Sequence, residues 1–217
     1  MKKYIIITAL SLAAVIKLGA QDYKIAKSTG KLIINLPSAI VEGYDGNEIV
    51  FSSQRSDEEM DPRAKGLRAI NGSGFTDNTG LGISVTDKGT SIEVNQVSHD
   101  LSIKIRVPKG IIVSFACHKV ENAGTVQFRN MQNEIEIATD YNKVELENIT
   151  GPITVTALYG SVDASFIAPI KGPVSIASIY STVDVSIPVD TKANVKLNSS
   201  HGSILASAEF KIEIEKN

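Results

Sequence analysis

The sequence predicts an all-β protein, a right-handed, single-stranded parallel β-helix or β-solenoid with a less regular β-rich N-terminal half. Three observations point there. Glycine or asparagine returns every nine residues, at Gly124, Asn133, Asn142, Gly151 and Gly160. Each return leads apolar residues at its second and fourth following positions. Helical patterning is nearly absent, since a start at Ser56-Asp57-Glu58-Glu59-Met60 meets Pro62 at once.

Composition narrows the function classes. At 217 residues, 42% hydrophobic and 21% charged, the chain is a folded domain or two small ones. No Trp, one Cys and three His exclude a disulfide framework, a multi-cysteine zinc site and a multi-haem protein. Aromatic content of 6% and a net charge of −2 argue against a nucleic-acid binder.

The chain opens as an address. Met1-Lys2-Lys3 is basic, Ile5–Ile16 is an apolar run, and Leu18-Gly19-Ala20 ends in small residues. That order is a secretory signal peptide over 1–20, with the mature chain at 21–217. The alternative is an N-terminal membrane anchor, but the run is short of the roughly 20 residues a span needs. No Cys follows it, so a lipid anchor is not expected. Cleavage after Ala20 removes three lysines and no acid, taking the net charge from −2 to −5. Lone Cys117 in an oxidising compartment is expected to be buried and inert.

The first half, about 28–118, reads as irregular β. Strands are expected at Lys31–Leu36, Ala39–Val41 and Glu48–Phe51, with a tight turn at Asp45-Gly46-Asn47. Residues 52–66 read as a charged loop. Gly82–Thr86, Ser91–Gln96, Leu101–Val107 and Ile111–Ala116 follow as strands. Without a Pro/Ser-rich linker, this half is expected to cap or extend the second in one continuous domain.

The second half, about 124–210, carries the repeat. The pairs are Val126/Phe128, Ile135/Ile137, Val144/Leu146, Ile153/Val155 and Val162/Ala164. They continue through Val174/Ile176, Val183/Val185 and Ile204/Ala206. Two side chains on one face of a short strand cannot be buried alone, whereas stacked copies enclose a dry core. Gly and Asn at the step are read as left-handed corners. A meander of antiparallel hairpins is the alternative. A super-period decides between them. Tyr141, Tyr159, Tyr180 and His201 recur 18, 21 and 21 residues apart, and Gly151-Pro152 and Gly172-Pro173 mark the alternate turns. Coils require such matched turns and a meander does not.

Stacking would align two ladders. Tyr141, Tyr159, Tyr180 and His201 form a candidate aromatic binding column, against turn packing alone. Glu145, Asp163 and Asp184 form a candidate acidic ladder, against a solvated face; its sharper version is a weak divalent-cation site. Catalytic and metal residues are otherwise not assigned. Ser73 sits in a glycine loop, and Cys117 and His118 are strand neighbours pointing to opposite faces. His99, His118 and His201 are scattered, and Asp45-Gly46-Asn47 lacks the rest of a calcium loop. No cofactor is expected.

The run Asn148-Ile149-Thr150-Gly151-Pro152-Ile153-Thr154-Val155, with Tyr159-Gly160-Ser161-Val162-Asp163 and Lys171-Gly172-Pro173-Val174-Ser175-Ile176, resembles a bacterial family of unknown function named for "putative adhesin" β-strand repeats. Lys65-Gly66-Leu67-Arg68-Ala69-Ile70-Asn71 and Asp77-Asn78-Thr79-Gly80-Leu81-Gly82 are similar to its exported Bacteroidetes-type form, and the resemblance covers most of 28–210. It implies architecture and an envelope setting, and no catalytic residues. The expectation is an exported, non-enzymatic cell-envelope protein, periplasmic or extracellular, acting as an adhesin or envelope scaffold. Its partner would be an envelope protein or glycan, with self-association through open strand edges. The alternatives are a carbohydrate-binding or carbohydrate-active β-helix, and a periplasmic partner of an envelope-stress pathway.

Overall fold

The computed structural model describes residues 22–53, 63, 66–99, 101–120 and 124–210. The expected signal peptide and most of the charged loop at 52–66 lie outside them. Among the described residues fifteen strands and no α-helix occur. They are β1 (Asp22–Ile25), β2 (Gly30–Asn35), β3 (Ala39–Tyr44), β4 (Ile49–Ser53), β5 (Ile83–Asp87), β6 (Ser91–Gln96), β7 (Ile103–Pro108) and β8 (Ile111–Cys117). The repeat half supplies β9 (Thr125–Arg129), β10 (Ile135–Thr139), β11 (Lys143–Ile149), β12 (Ile153–Ala157), β13 (Val162–Phe166), β14 (Val174–Ser178) and β15 (Val183–Ser186).

Two sheets form, ordered β1-β4-β7-β3-β9-β11-β13-β15 and β14-β12-β10-β8-β2-β6-β5. Consecutive strands of the repeat alternate between them, so each pairs with the strand two places on. Val126, Val144, Val162 and Val183 lie in one parallel register, as do Val113, Ile135, Ile153 and Val174. The sheets face each other across one apolar cluster, with Phe115 of β8 meeting Phe128 of β9 edge-on at 6.3 Å between ring centroids. Parallel sheets usually bury both faces and read as unbroken apolar runs. Here each has one face in water. That is why the ladders alternate, as in Ile153-Thr154-Val155-Thr156-Ala157, where only the odd-numbered residues are buried. Each fully buried Leu, Ile or Phe of this core contributes about 1.5–3 kcal/mol.

Three departures from the sequence reading have physical causes. First, the sheets are mixed. β1/β4, β4/β7 and β5/β6 pair antiparallel, which closes one end of the stack with reversed strands. The stacking order also breaks sequence order, because β2 lies between β6 and β8. β1, too short and polar to stand out in the sequence, forms by pairing with β4.

Second, the nine-residue step is set by corner packing more than by left-handed backbone. Of its five positions only Gly151 has positive φ, at 75°. Asn142 is fully buried and its Nδ2 donates to the carbonyls of Pro37 (2.6 Å) and Gly124 (3.0 Å) in stacked corners. Asn133, 1% exposed, donates likewise to Pro108 and Ile111. A Cβ on Gly160 would stand 1.8 Å from the Asn142 carbonyl oxygen. The step therefore combines amides that satisfy turn carbonyls, at Asn133 and Asn142, with a glycine, Gly160, that lets the Asn142 turn approach.

Third, Ile204/Ala206 do not continue the strands, and residues 203–207 carry no regular structure. Among the described residues the last rung accordingly has no strand paired beyond it. Val174, Val183 and Val185 are 40%, 42% and 44% exposed, while their ladder partners Ile153, Val162 and Ala164 are 2%, 0% and 5% exposed.

Candidate functional site

The tyrosine column is built by the corners between β10 and β11, β12 and β13, and β14 and β15. Backbone pairing runs on through them. Leu158 N–H donates to Thr139 O (3.0 Å), Tyr159 N–H to Asp140 O (2.7 Å), Ile179 N–H to Ala157 O (3.1 Å) and Tyr180 N–H to Leu158 O (2.9 Å). Rung spacing of about 4.8 Å is thereby passed to the rings. Tyr141 and Tyr159 stack at 5.1 Å and 15°, Tyr159 and Tyr180 at 4.9 Å and 13°. His201 is exposed, and the ring contacts end at Tyr180. Tyr159, stacked on both sides, offers chiefly its edge and hydroxyl, whereas Tyr141 and Tyr180 are each stacked on one side. Tyr180, 68% exposed, keeps a face turned away from Tyr159.

The acidic ladder is in register. Glu145 of β11 pairs in position with Asp163 of β13, and Asp163 with Asp184 of β15. The sequence reading missed its counter-charge. Lys143, two residues before Glu145 and on the same face, reaches Glu145 Oε1 at 2.8 Å and Asp163 Oδ2 at 2.9 Å. Gln127 Nε2 donates to Glu145 Oε2 at 2.7 Å. The Lys143 hydrogen bond, then that of Gln127, holds the Glu145 carboxyl below the usual range. Hydrogen bonds to Glu145 and then Asp163 push the Lys143 ammonium above the ordinary lysine value. An ammonium thus fills the place a divalent cation would take. Among the described residues no group of three or more His, Cys, Asp or Glu side chains is placed to hold a metal. The i, i+2 spacing of Lys143 and Glu145 was the available signal.

The outer face of the first sheet changes sign along the stack. Lys104 and Arg106 lie on β7; Glu145, Glu147, Asp163 and Asp184 lie towards β15. Between them Lys104 pairs with Glu42 at 2.7 Å, and this bond chiefly holds the Glu42 carboxyl low. Arg106 lies 5.2 Å from the Tyr44 ring centroid. One shallow hollow lies at the basic end of this face and another on its acidic part. One, of about 510 Å³, is walled by Tyr44, Asp45 and Lys109; the other, of about 350 Å³, by Glu145, Glu147, Asp163 and Asp184.

The residues weighed for catalysis are not assembled. Cys117 is buried, whereas exposed His118 turns its Nδ1 to Asp140 Oδ1 at 3.0 Å, one rung away. Ser73 donates its backbone N–H to Asn71 Oδ1 in an exposed loop.

No protein-family model matches the chain, and no curated protein does. Solved structures similar to it include two described as adhesion proteins. One is described as a "putative cell adhesion protein" from Clostridium sporogenes, at 10% identity and a TM-score of 0.37, covering 77% of this chain and 99% of that one. The other is described as a "putative adhesin" from Bacteroides fragilis, at 10% identity and a TM-score of 0.25, covering 78% and 98%. Likenesses at these scores carry no argument about function.

Proposed function

We propose that this chain is an exported, non-enzymatic protein of the cell envelope, periplasmic or extracellular, that works as an adhesin or envelope scaffold. In this reading the repeat half winds as a β-solenoid of right-handed sense and presents an extended β surface to an envelope protein or glycan. One observation carries it: outward side chains stand in register from β7 to β15 on a continuous face whose net charge runs from basic to acidic. A charged, registered face suits recognition of an extended partner, because complementary charge steers encounter and fixes register. Export rests on the basic, apolar and small-residue order of residues 1–20.

The test is binding of the full mature chain to envelope preparations, with Glu145, Asp163 and Asp184 changed to Lys. Binding that weakens in the variant and with added salt is expected. Binding insensitive to both, or none to any envelope fraction, overturns the reading. A second reading, carbohydrate binding, is favoured by the exposed tyrosines. In the stack only Tyr159 has a neighbouring ring on both faces, and Tyr180, at 68%, is the most exposed of the three, so a glycan would engage Tyr180 first. On a glycan array, Tyr180→Ser would then abolish binding that Tyr141→Ser leaves intact.

A further inference from the structure

We propose that residues 194–206 are a detachable terminal rung, a strap of this same chain that closes over the open edges of β14 and β15. The need for closure is visible at that end. Each sheet has an edge at either end, but on β5 at the antiparallel end Ile83 and Val85 are 0% and 3% exposed, whereas the apolar side chains of β14 and β15 are not buried. Among the described residues no strand pairs beyond Val174, Val183 and Val185, and Ile179 and Tyr180 beside them are 60% and 68% exposed. Unpaired parallel edges with alternating apolar side chains invite another strand.

The chain itself carries the matching strand. β12 pairs with β14, and β13 with β15, at an offset of 21 residues. The same offset again takes Val174 and Ile176 to Val195 and Leu197, and Val183 and Val185 to Ile204 and Ala206. It takes Tyr180, with its open ring face, to His201. Val195, Leu197 and Ile204 are 50%, 54% and 53% exposed, and residues 191–199 and 203–207 carry no regular structure. The apolar set therefore exists on both sides, unburied on both. The connection is long enough. Seven residues part Phe166 from Val174, and eight part Ser186 from Val195. A tethered segment acts at high effective concentration, which favours this chain's own strap over a second copy or a foreign peptide. Closed, the strap buries both apolar sets. Open, as here, it leaves two edges to which a partner strand can add.

Site-directed cross-linking of the full mature chain tests this. Ser175 and Lys196 would be ladder partners facing outward, while native Cys117 stays buried. S175C/K196C under mild oxidation is expected to give a monomer closed by an internal disulfide. It should form roughly ten-fold faster than in S175C/N198C, whose cysteines would sit too far apart along the ladder. Linking only between chains assigns the edge to a second copy and overturns the proposal. Equal linking in both variants, or none, overturns it as well. Hydrogen exchange gives an independent reading. V195D/L197D should speed exchange of the β14 and β15 edge amides and leave β10 unchanged; unaltered edge amides would contradict closure.

Discussion

Asn142→Ala tests the corner chemistry that holds the rungs together. The side chain is wholly buried; its Nδ2 donates to Pro37 O at 2.6 Å and Gly124 O at 3.0 Å, and its Oδ1 accepts from Thr139 Oγ1 at 2.5 Å. Truncation deprives two carbonyls and one hydroxyl of this partner. An orphaned buried polar group costs about 1–3 kcal/mol, and carbonyls that accept elsewhere fall at the low end. The loss is therefore roughly 3 kcal/mol, which for a chain of this size lowers Tm by about 6–12 °C. Urea and thermal unfolding followed by circular dichroism read it directly. Exposed Asn198, in the unstructured C-terminal stretch, supplies the control; Asn198→Ala should shift stability by less than about 0.5 kcal/mol. Asn142→Asp separates hydrogen bonding from shape, since it sets an acceptor against two carbonyls. Its carboxyl is driven up in the fold, so its cost grows as pH rises past about 4. If Asn142→Ala costs no more than Asn198→Ala, the corner amides do not hold the stack.

Gly160→Ala should unfold or strongly destabilise the protein, because its Cβ would meet Asn142 O at 1.8 Å; Gly72→Ala, with open space around it, should be near neutral in the same melt. Tyr159→Ser removes two ring contacts and Tyr180→Ser one, so at about 0.5–1.5 kcal/mol per contact the first should cost about twice the second. Equal costs would show that stacking adds nothing beyond the area buried. Lys143→Gln should lower Tm at neutral pH by less than Asn142→Ala does, since the ion pairs lie half in water. The Glu145 carboxyl is held below its ordinary value, so its contribution is present above the unfolded pKa of about 4.3 and lost as pH falls through the folded one. The Tm gap between wild type and Lys143→Gln should therefore close in strong acid, and a gap independent of pH would reject the charge assignment.

The pairing of the repeat half was legible because its signals are local and repeated. Val144, Val162 and Val183 share a phase in sequence, and they share a register in space. The 18- and 21-residue steps of the tyrosines are the ladder offsets themselves. The first half hid its order because its partners are distant. Leu32 pairs with Val113 and with Ile92, and nothing near Leu32 records that β2 lies between them. The corner residues were found for an incomplete reason. Glycine and asparagine share a tolerance of positive φ, yet Asn142 is there for its amide and Gly160 for its missing Cβ. Of the two candidate ladders, the tyrosines stack in a column that His201 does not join, and the stacking covers both faces of Tyr159. The acids were placed in register without the lysine that bridges them. Ile204/Ala206 continue the repeat in sequence but are unpaired in this structure, because periodicity alone does not say whether a terminal strand pairs.

The most direct test of the account is backbone NOE spectroscopy on the isotope-labelled chain, residues 21–217. Parallel stacking predicts amide-to-α-proton contacts linking β9 to β11, β11 to β13 and β10 to β12, and none of the close α-to-α contacts that join antiparallel neighbours within 124–186. Close α-to-α contacts between 135–139 and 143–149 would instead make the repeats hairpins, and the registered face from β7 to β15 would not exist.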